Sequence, residues 1–113
     1  MNRDYKLFVK DMLDCINKIE GFVKDISYDD FIEDDKTSSA VVRKLEVIGE
    51  ATKNIPKEIR QKYKELPWRD MAGMRDKVIH FYFGVDYEVV WKVVKERLPE
   101  IRPYIEKIIK EWD

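Results

Sequence analysis

One histidine in this chain lies between two other side chains that could act on a phosphate group. His80 follows Arg75 after four intervening residues, and Tyr82 lies two residues beyond it, in the stretch RDKVIHFY. Imidazole has an unperturbed pKa near neutrality, so His80 could accept and return a proton. Arg75 is permanently cationic, and its planar group matches the oxygens of a phosphate. This pair is the minimum needed to cleave RNA without a metal ion, because the ribose 2′-hydroxyl can itself be the nucleophile.

Two neighbouring residues extend this candidate site. Asp76 lies one helical turn before His80, and a carboxylate within that reach favours the protonated imidazole. The final turn of a helix, where His80 is predicted to lie, has the same effect through its partial negative charge. For Tyr82 two interpretations stay open: packing at the edge of the core, or a hydroxyl that holds RNA or accepts a modification.

The predicted helical wheel separates His80 from the core. With Arg75 at zero, His80 falls at about 140°. The residues that mark the core face fall between about 240° and 320°, and they are Met71, Met74, Val78 and Phe81. A lone histidine is most often a satisfied core residue, but this position disfavours that role. An idle surface residue is then the alternative to a catalytic one.

The same wheel predicts that the site needs two copies of the chain. Arg75 and His80 diverge by about 140°, too far to bind one phosphate unless the helix is distorted. Two copies facing each other across a two-fold axis would both contribute residues to each site. Ala72 and Gly73 support close approach there, since glycine within a helix otherwise costs about 1 kcal/mol relative to alanine. We therefore expect a site at a homodimer interface.

Composition sets limits on the class of protein. The 113 residues are 44% hydrophobic and 40% charged, with four glycines and four prolines, which is typical of a compact helical protein. This length predicts a single domain over residues 1–113. The net charge is −1, so RNA would have to bind a local positive patch, one that two copies could build together.

Other classes of site are disfavoured by residue counts. One cysteine, Cys15, and one histidine supply neither an internal disulfide nor the ligands of a zinc site. The sequence has no leader-like segment and no apolar run near the roughly 18 residues that a membrane span requires. We expect a cytoplasmic protein without a metal ion, a cofactor or a membrane partner.

Apolar spacing predicts an all-α fold, an up-and-down bundle of four or five helices without strands. The first helix covers about Asp4–Asp25. Ser27 and Asp30 then predict a capped turn, after which Phe31 and Ile32 would plug the end of the bundle.

The second helix is predicted to begin at Thr37 or Ser38 as its N-cap and to end before Pro56. Its inner face comprises Val41, Leu45, Ile48, Thr52 and Ile55. A short helical connector follows. The charged residues Glu46, Glu50 and Lys53 lie together on another side. We interpret them mainly as a solvated face, with the lining of the active-site cleft as the alternative.

The candidate site belongs to the third predicted helix, from Pro67 to Gly84, where glycine suits a left-handed cap. Asp86 caps a fourth helix, which Pro99 and Pro103 would kink or break before a last helical segment. Two tryptophans, Trp68 and Trp91, are more simply core or interface anchors than platforms for stacked bases.

The motif and its surroundings resemble a known family. RDKVIHFY matches the Arg-x4–6-His pattern of HEPN ribonucleases, including the polar residue after the arginine. Its longer form, Arg-x4-His-x-Tyr, is similar to the signature of HepT-type toxins. The blocks LEVIGEATKNIP, PWRDMAGMRDKVIHFYFGVD and VVWKVVKERLP extend the resemblance over essentially the whole chain.

The resemblance implies a dimeric helical bundle with endoribonuclease toxin activity towards tRNA or mRNA, leaving a 2′,3′-cyclic phosphate. His80 would be the acid and base, Arg75 would stabilise charge on the phosphorane, and Asp76 would orient them. The family also implies an antitoxin, a minimal nucleotidyltransferase of the MntA type, which transfers AMP to the tyrosine at the position of Tyr82.

A different interpretation gives the chain no catalytic role. It would then be a substrate- or nucleotide-binding partner subunit of a minimal nucleotidyltransferase, and the same motif would bind a phosphate without cutting. A purely structural dimerisation module is a third interpretation. The complete set of arginine, polar residue and histidine favours the ribonuclease, because a passive helical partner would not need it.

Overall fold

A computed structural model describes residues 4–80 and 84–112, with the backbone alone at residues 4 and 80. Helices dominate it, which confirms the all-α class. In chain order the helices are α1 (Asp4–Val23), α2 (Tyr28–Glu33), α3 (Asp35–Lys53), α4 (Lys57–Lys62), α5 (Trp68–Ala72), α6 (Met74–Val78), α7 (Tyr87–Lys92) and α8 (Leu98–Glu111). A π-helical turn (Val93–Arg97) joins α7 to α8, and two short strands, β1 (Ile79–His80) and β2 (Gly84–Val85), follow α6.

The core lies where α1 packs against α3 and α8, and α3 also packs against α5 and α6. Every residue of the predicted inner face of the second helix is buried, which confirms that prediction: Val41, Leu45, Ile48, Thr52 and Ile55. Full burial of one such aliphatic side chain contributes roughly 1.5–3 kcal/mol. The apolar periodicity of α1 and α3 therefore accounts for the centre of the bundle. No helix in the described part of the chain is long and apolar enough to cross a membrane.

The turn after α1 is capped as the sequence predicts. The Ser27 hydroxyl accepts a hydrogen bond from the Asp30 N–H (3.1 Å), and the Asp30 carboxylate accepts one from the Ser27 N–H (3.2 Å). Phe31 is fully buried against the rings of Trp91 and Tyr87, so its predicted role as a plug is confirmed. The same role for Ile32 is wrong, because 43% of that residue is exposed.

The N-cap of α3 differs from the prediction. Asp34 holds this position, rather than Thr37 or Ser38. Its carboxylate accepts hydrogen bonds from the Thr37 N–H (3.1 Å) and from the Thr37 hydroxyl (2.6 Å). Both bonds lower the pKa of Asp34, and the bond from the Thr37 hydroxyl has the larger effect. An ionised carboxylate is a stronger acceptor than a hydroxyl, so the helix begins one turn earlier than predicted.

The prolines near the C-terminus do not break the helix. Backbone from α7 through the π turn into α8 stays helical, and Pro103 lies inside α8. Pro99 lies in the first turn of α8, directly after the π turn. A proline cannot donate the usual hydrogen bond, and its ring crowds the carbonyl four residues earlier. The carbonyl four residues before Pro99 lies in the π turn, which is wider than an α-helix. The predicted interruption is therefore a local change of helix type.

Short helix α4 is tied to its neighbours by side chains. Arg60 donates hydrogen bonds to the carbonyls of Thr52 (2.8 Å) and Ile55 (3.2 Å) at the end of α3. The hydroxyl of Tyr63, which is buried, donates to the Glu111 carboxylate at the end of α8 (3.0 Å). Burial and this bond to Glu111 raise the pKa of Tyr63 to about 12.

The Tyr63 bond predicts a stability change at alkaline pH. The pKa is 10.0 for an ordinary tyrosine and about 12 in the folded protein, so folding favours the neutral phenol. This contribution is complete below pH 10 and is lost as the pH rises towards 12. We expect the free energy of unfolding, measured by urea denaturation, to fall more over this range in the wild type than in Tyr63→Phe. Tyr104→Phe, which removes a more exposed hydroxyl, is the control. A pH-independent difference between wild type and Tyr63→Phe would contradict the assignment.

Candidate functional site

The third predicted helix is interrupted and ends early. Helix α5 stops at Gly73, α6 begins at once, and α6 ends at Val78. The next residue, Ile79, is extended, with φ −117° and ψ 117°. The predicted helix to Gly84 is therefore wrong beyond Val78. The sequence there, VIHFYF, is rich in β-branched and aromatic residues, which favour extended backbone.

The backbone of His80 belongs to a small antiparallel ladder. Ile79 pairs with Val85, and His80 pairs with Gly84. The Asp86 N–H donates to the Val78 carbonyl (2.8 Å), which closes the ladder against the end of α6. The predicted absence of strands is wrong at this one place in the described residues.

Gly84 and Asp86, which follow the histidine in the chain, have the backbone conformation and the capping role that the sequence predicts, although Gly84 does not end a helix. Gly84 has a left-handed backbone (φ 75°), as expected, but it leads the chain into β2 instead of capping a helix. Asp86 caps α7, where its carboxylate accepts from the Val89 N–H (3.2 Å). Together they set the direction in which the chain leaves the candidate site.

Because the backbone is extended at Ile79, the helical wheel does not describe the position of His80. His80 is not in the last turn of a helix, and the predicted one-turn helical spacing from Asp76 does not apply, because α6 ends at Val78. The separation of about 140° from Arg75 does not apply either. The regular helix is interrupted between Arg75 and His80. The wheel therefore gives no geometric reason for a second copy.

Arg75 projects from α6 between two carboxylates. Its Nε lies 3.5 Å from Glu46 Oε2, and its Nη1 lies 3.7 Å from Asp76 Oδ1. Both distances exceed the roughly 2.7–2.9 Å of a strong charge-assisted hydrogen bond. The guanidinium side chain is 54% exposed. It is thus attracted by both acids while part of the group stays exposed, so that it can meet a phosphate.

The structure gives Glu46 a different role from the one that the sequence favoured. It was expected on a solvated face, but its side chain is only 25% exposed and reaches Arg75. Its companions Glu50 and Lys53 pair with each other (3.3 Å) on the surface, as expected. Gly49, one turn beyond Glu46, is the feature of the sequence that could have indicated this contact, because a glycine on an inner helix face permits close packing with another helix.

Gly49 brings α3 against the junction of α5 and α6. A Cβ atom at this position would lie 3.4 Å from the Met71 carbonyl oxygen and 3.6 Å from Met74 Cβ. These are contact distances, so nothing larger than a methyl group fits without movement. The predicted core residues of this segment are buried, which confirms their face: Met71, Met74 and Val78. Phe81, the fourth, lies outside the described residues.

The structure leaves two predicted site residues without side-chain geometry. Tyr82 lies outside the described residues, and for His80 the description stops at the backbone. Arg75 and Asp76 do contact each other. In the described ranges, no three acidic, histidine or cysteine side chains come together as metal ligands. The tryptophans are anchors, as expected: Trp68 is buried and donates to the Tyr63 carbonyl (2.9 Å), and Trp91 packs on aromatic rings.

Comparison with known proteins identifies relatives over nearly the full length. Residues 12–108 match the family model described as HepT-like, "Ribonuclease HepT-like". A Methanocaldococcus jannaschii protein named "Putative RNase MJ0125" is 52% identical over 111 residues, covering 98% of this chain and 96% of that protein. A Thermococcus cleftensis protein named "Probable ribonuclease HepT" is 49% identical over 110 residues, covering 97% of this chain and 100% of that protein. No solved structure matches the chain.

The left-handed backbone at Gly84 predicts that replacing this glycine with alanine lowers the stability of the protein. An alanine there would have open space for its methyl group, but its φ of 75° is strained for an L-residue. We expect Gly84→Ala to lower the free energy of unfolding by about 1–2 kcal/mol. The matched control is Gly21→Ala, also in open space but inside α1, where alanine should stabilise by up to about 1 kcal/mol. Equal effects of the two substitutions in thermal or urea unfolding would refute the left-handed assignment.

Proposed function

The chain belongs to the HepT-like ribonuclease family, and on this premise we propose that it is a metal-independent endoribonuclease toxin. The proposal is supported chiefly by Arg75, whose half-exposed guanidinium lies on α6 shortly before the backbone ladder that holds His80. The matched family region includes this whole segment. The substrates are RNA molecules, either tRNA or mRNA.

In the proposed reaction the substrate supplies its own nucleophile. His80 accepts the proton of a ribose 2′-hydroxyl, and the 2′-oxygen then attacks the adjacent phosphorus. The bond from phosphorus to the 5′-oxygen breaks, and this oxygen takes a proton from the imidazolium. Arg75 stabilises the negative charge of the phosphorane, and Asp76 orients the pair. The products are a 2′,3′-cyclic phosphate and a 5′-hydroxyl, so water is not consumed in this step.

A homodimer is proposed as the active form, with the site at the subunit interface. Ala72 and Gly73 are half-buried. Among the described residues, a Cβ atom at Gly73 would meet the carbonyl oxygens of Arg69 and Asp70, both in α5. Small residues at this junction allow a second copy to approach closely. A second copy would also bring another Arg75, so that one phosphate could contact two guanidinium groups.

We also propose that an MntA-type nucleotidyltransferase neutralises the toxin by transferring AMP from ATP to the hydroxyl of Tyr82. In that transfer the phenolic oxygen attacks the α-phosphorus, pyrophosphate leaves, and the phenolic proton is released. The added phosphodiester carries a negative charge and a bulky nucleoside. Two residues from His80, both would oppose the entry of an RNA phosphate.

Cleavage assays test the ribonuclease directly. The unmodified wild type should cut RNA in the presence of EDTA and leave 2′,3′-cyclic phosphate ends. His80→Ala and Arg75→Ala should each lower kcat/KM by about 100-fold or more, because a proton carrier and a phosphorane-stabilising charge are each worth that much. Lys77→Ala, which removes a different exposed cation of α6, is the matched control and should retain activity.

Two results would oppose this function. One is a lack of RNA cleavage by the unmodified protein together with normal growth of cells expressing it. The other is retention of full cleavage by His80→Ala. Tight binding of ATP to this chain alone, measured by isothermal titration in the absence of nuclease activity, would instead favour the non-catalytic partner subunit.

The regulatory proposal is tested by intact mass. Protein produced together with its cognate nucleotidyltransferase should gain the mass of one or more AMP groups and lose RNase activity. Tyr82→Phe should gain none, whereas Tyr104→Phe, at an exposed tyrosine of α8, should be modified like the wild type. AMP on Tyr82→Phe would place the acceptor elsewhere.

A further inference from the structure

The acid that contacts Arg75 from another helix has a role that the sequence motif does not include. We propose that Glu46 is a positioning residue for Arg75, an inference that rests on the proposed ribonuclease function. From α3 its carboxylate lies 3.5 Å from Arg75 Nε. It would hold the guanidinium in place before RNA binds, while the other N–H groups bind the phosphate.

The two acids beside Arg75 are not equivalent. Asp76 is adjacent in sequence, its side chain is 88% exposed, and its contact is 3.7 Å. Water and salt screen such a pair strongly. Glu46 is 25% exposed and belongs to a 19-residue helix whose inner face is buried. A carboxylate on a rigid element, partly shielded from water, restrains a long side chain better than an exposed neighbour on the same short helix.

The position of Glu46 is itself fixed by packing. A Cβ atom at Gly49, three residues later on α3, would lie 3.4 and 3.5 Å from the Met71 and Ala72 carbonyl oxygens at the end of α5, so the glycine allows this close packing. This contact sets the distance between α3 and the start of α6. Glu46 is therefore carried to Arg75 by the core, and its placement does not depend on the surface around the site.

The donor count of arginine makes this role compatible with phosphate binding. A guanidinium has five N–H donors, one on Nε and two on each terminal nitrogen. A carboxylate facing Nε occupies at most one donor, so a phosphate can still be bound by the terminal nitrogens. Arginine has about 2 kcal/mol of rotamer entropy. Restraining it in advance reduces what must be lost when the substrate is bound, which is the usual effect of preorganisation on rate.

The same charge has an opposite effect on binding. A carboxylate near Arg75 repels the RNA phosphate, so Glu46 should weaken ground-state affinity while it raises the rate of the chemical step. This combination distinguishes positioning from a structural role. Loss of a structural residue would lower stability and activity together, without tighter RNA binding.

Kinetics of Glu46→Gln and Glu50→Gln test the inference. Glu50 lies one turn further on α3 and pairs with Lys53, so it is a matched control. We expect Glu46→Gln to lower kcat by about 10- to 100-fold, the effect of a misplaced catalytic group. Its Kd for an oligonucleotide with a 2′-deoxy cleavage site should be unchanged or lower. Glu46→Asp, which keeps the charge, should recover part of kcat, and Glu50→Gln should match the wild type in both.

NMR of the arginine side chain gives a readout that does not need cleavage. The Arg75 Nε–H signal, assigned by its loss in Arg75→Lys, should shift and exchange faster with water in Glu46→Gln but not in Glu50→Gln. An unmoved signal, or a kcat of Glu46→Gln equal to that of Glu50→Gln, overturns the positioning role. If wild type and Glu50→Gln both fail to cut RNA, the ribonuclease function is overturned, and the NMR comparison separately decides whether Glu46 holds Arg75.

Discussion

The contact between α3 and the junction of α5 and α6 determines where the candidate site lies. At Gly49 the helix surface has no side chain, so α3 packs directly on the carbonyls of Met71 and Ala72. Interiors at this density transmit displacement instead of absorbing it. The first turn of α6, which carries Arg75, therefore inherits its position from the packing of α3. The site is placed by the core, although its charged atoms are at the surface.

A second constraint is the end of α6 at Val78. A helix continued to Gly84 would have distributed Arg75 and His80 around a cylinder, on faces about 140° apart. Ending the helix turns the backbone into an extended segment, paired through Ile79 and Val85. The ladder is short, but the bond from Asp86 N–H to the Val78 carbonyl adds a third attachment. An arginine on a helix and a histidine on an adjoining strand can then be oriented independently.

Sequence patterns predicted the interior of this protein better than its junctions. Burial of Leu45 and Ile48 follows from spacing alone, since only one face of α3 can enter the core. The start of α3 was misplaced because Thr37 and Asp34 are both good caps, and only the three-dimensional hydrogen bonds decide between them. The end of α6 was misplaced because a core-facing helical period and a run of strand-forming residues overlap in the same segment. Propensity is a weak signal that local pairing can reverse. For Glu46, periodicity placed it off the core but could not indicate which neighbouring helix it would face.

Charge balance around Arg75 connects the site to the proposed assembly. One guanidinium stands between two carboxylates, so this part of a single subunit gives a phosphate little net attraction. The exposed pair with Asp76 is worth only about 1 kcal/mol or less, so an RNA phosphate could displace Asp76 from Arg75, but binding to a single subunit would be weak. A nuclease with a net charge of −1 must therefore concentrate its cations locally. Bringing together two copies of α6 would place two arginines around one groove without changing the overall charge of either chain. In such a dimer the acids would orient Arg75, and the affinity for RNA would come from the cations that the two copies bring together. A dimer is therefore proposed even though the helical wheel does not require it.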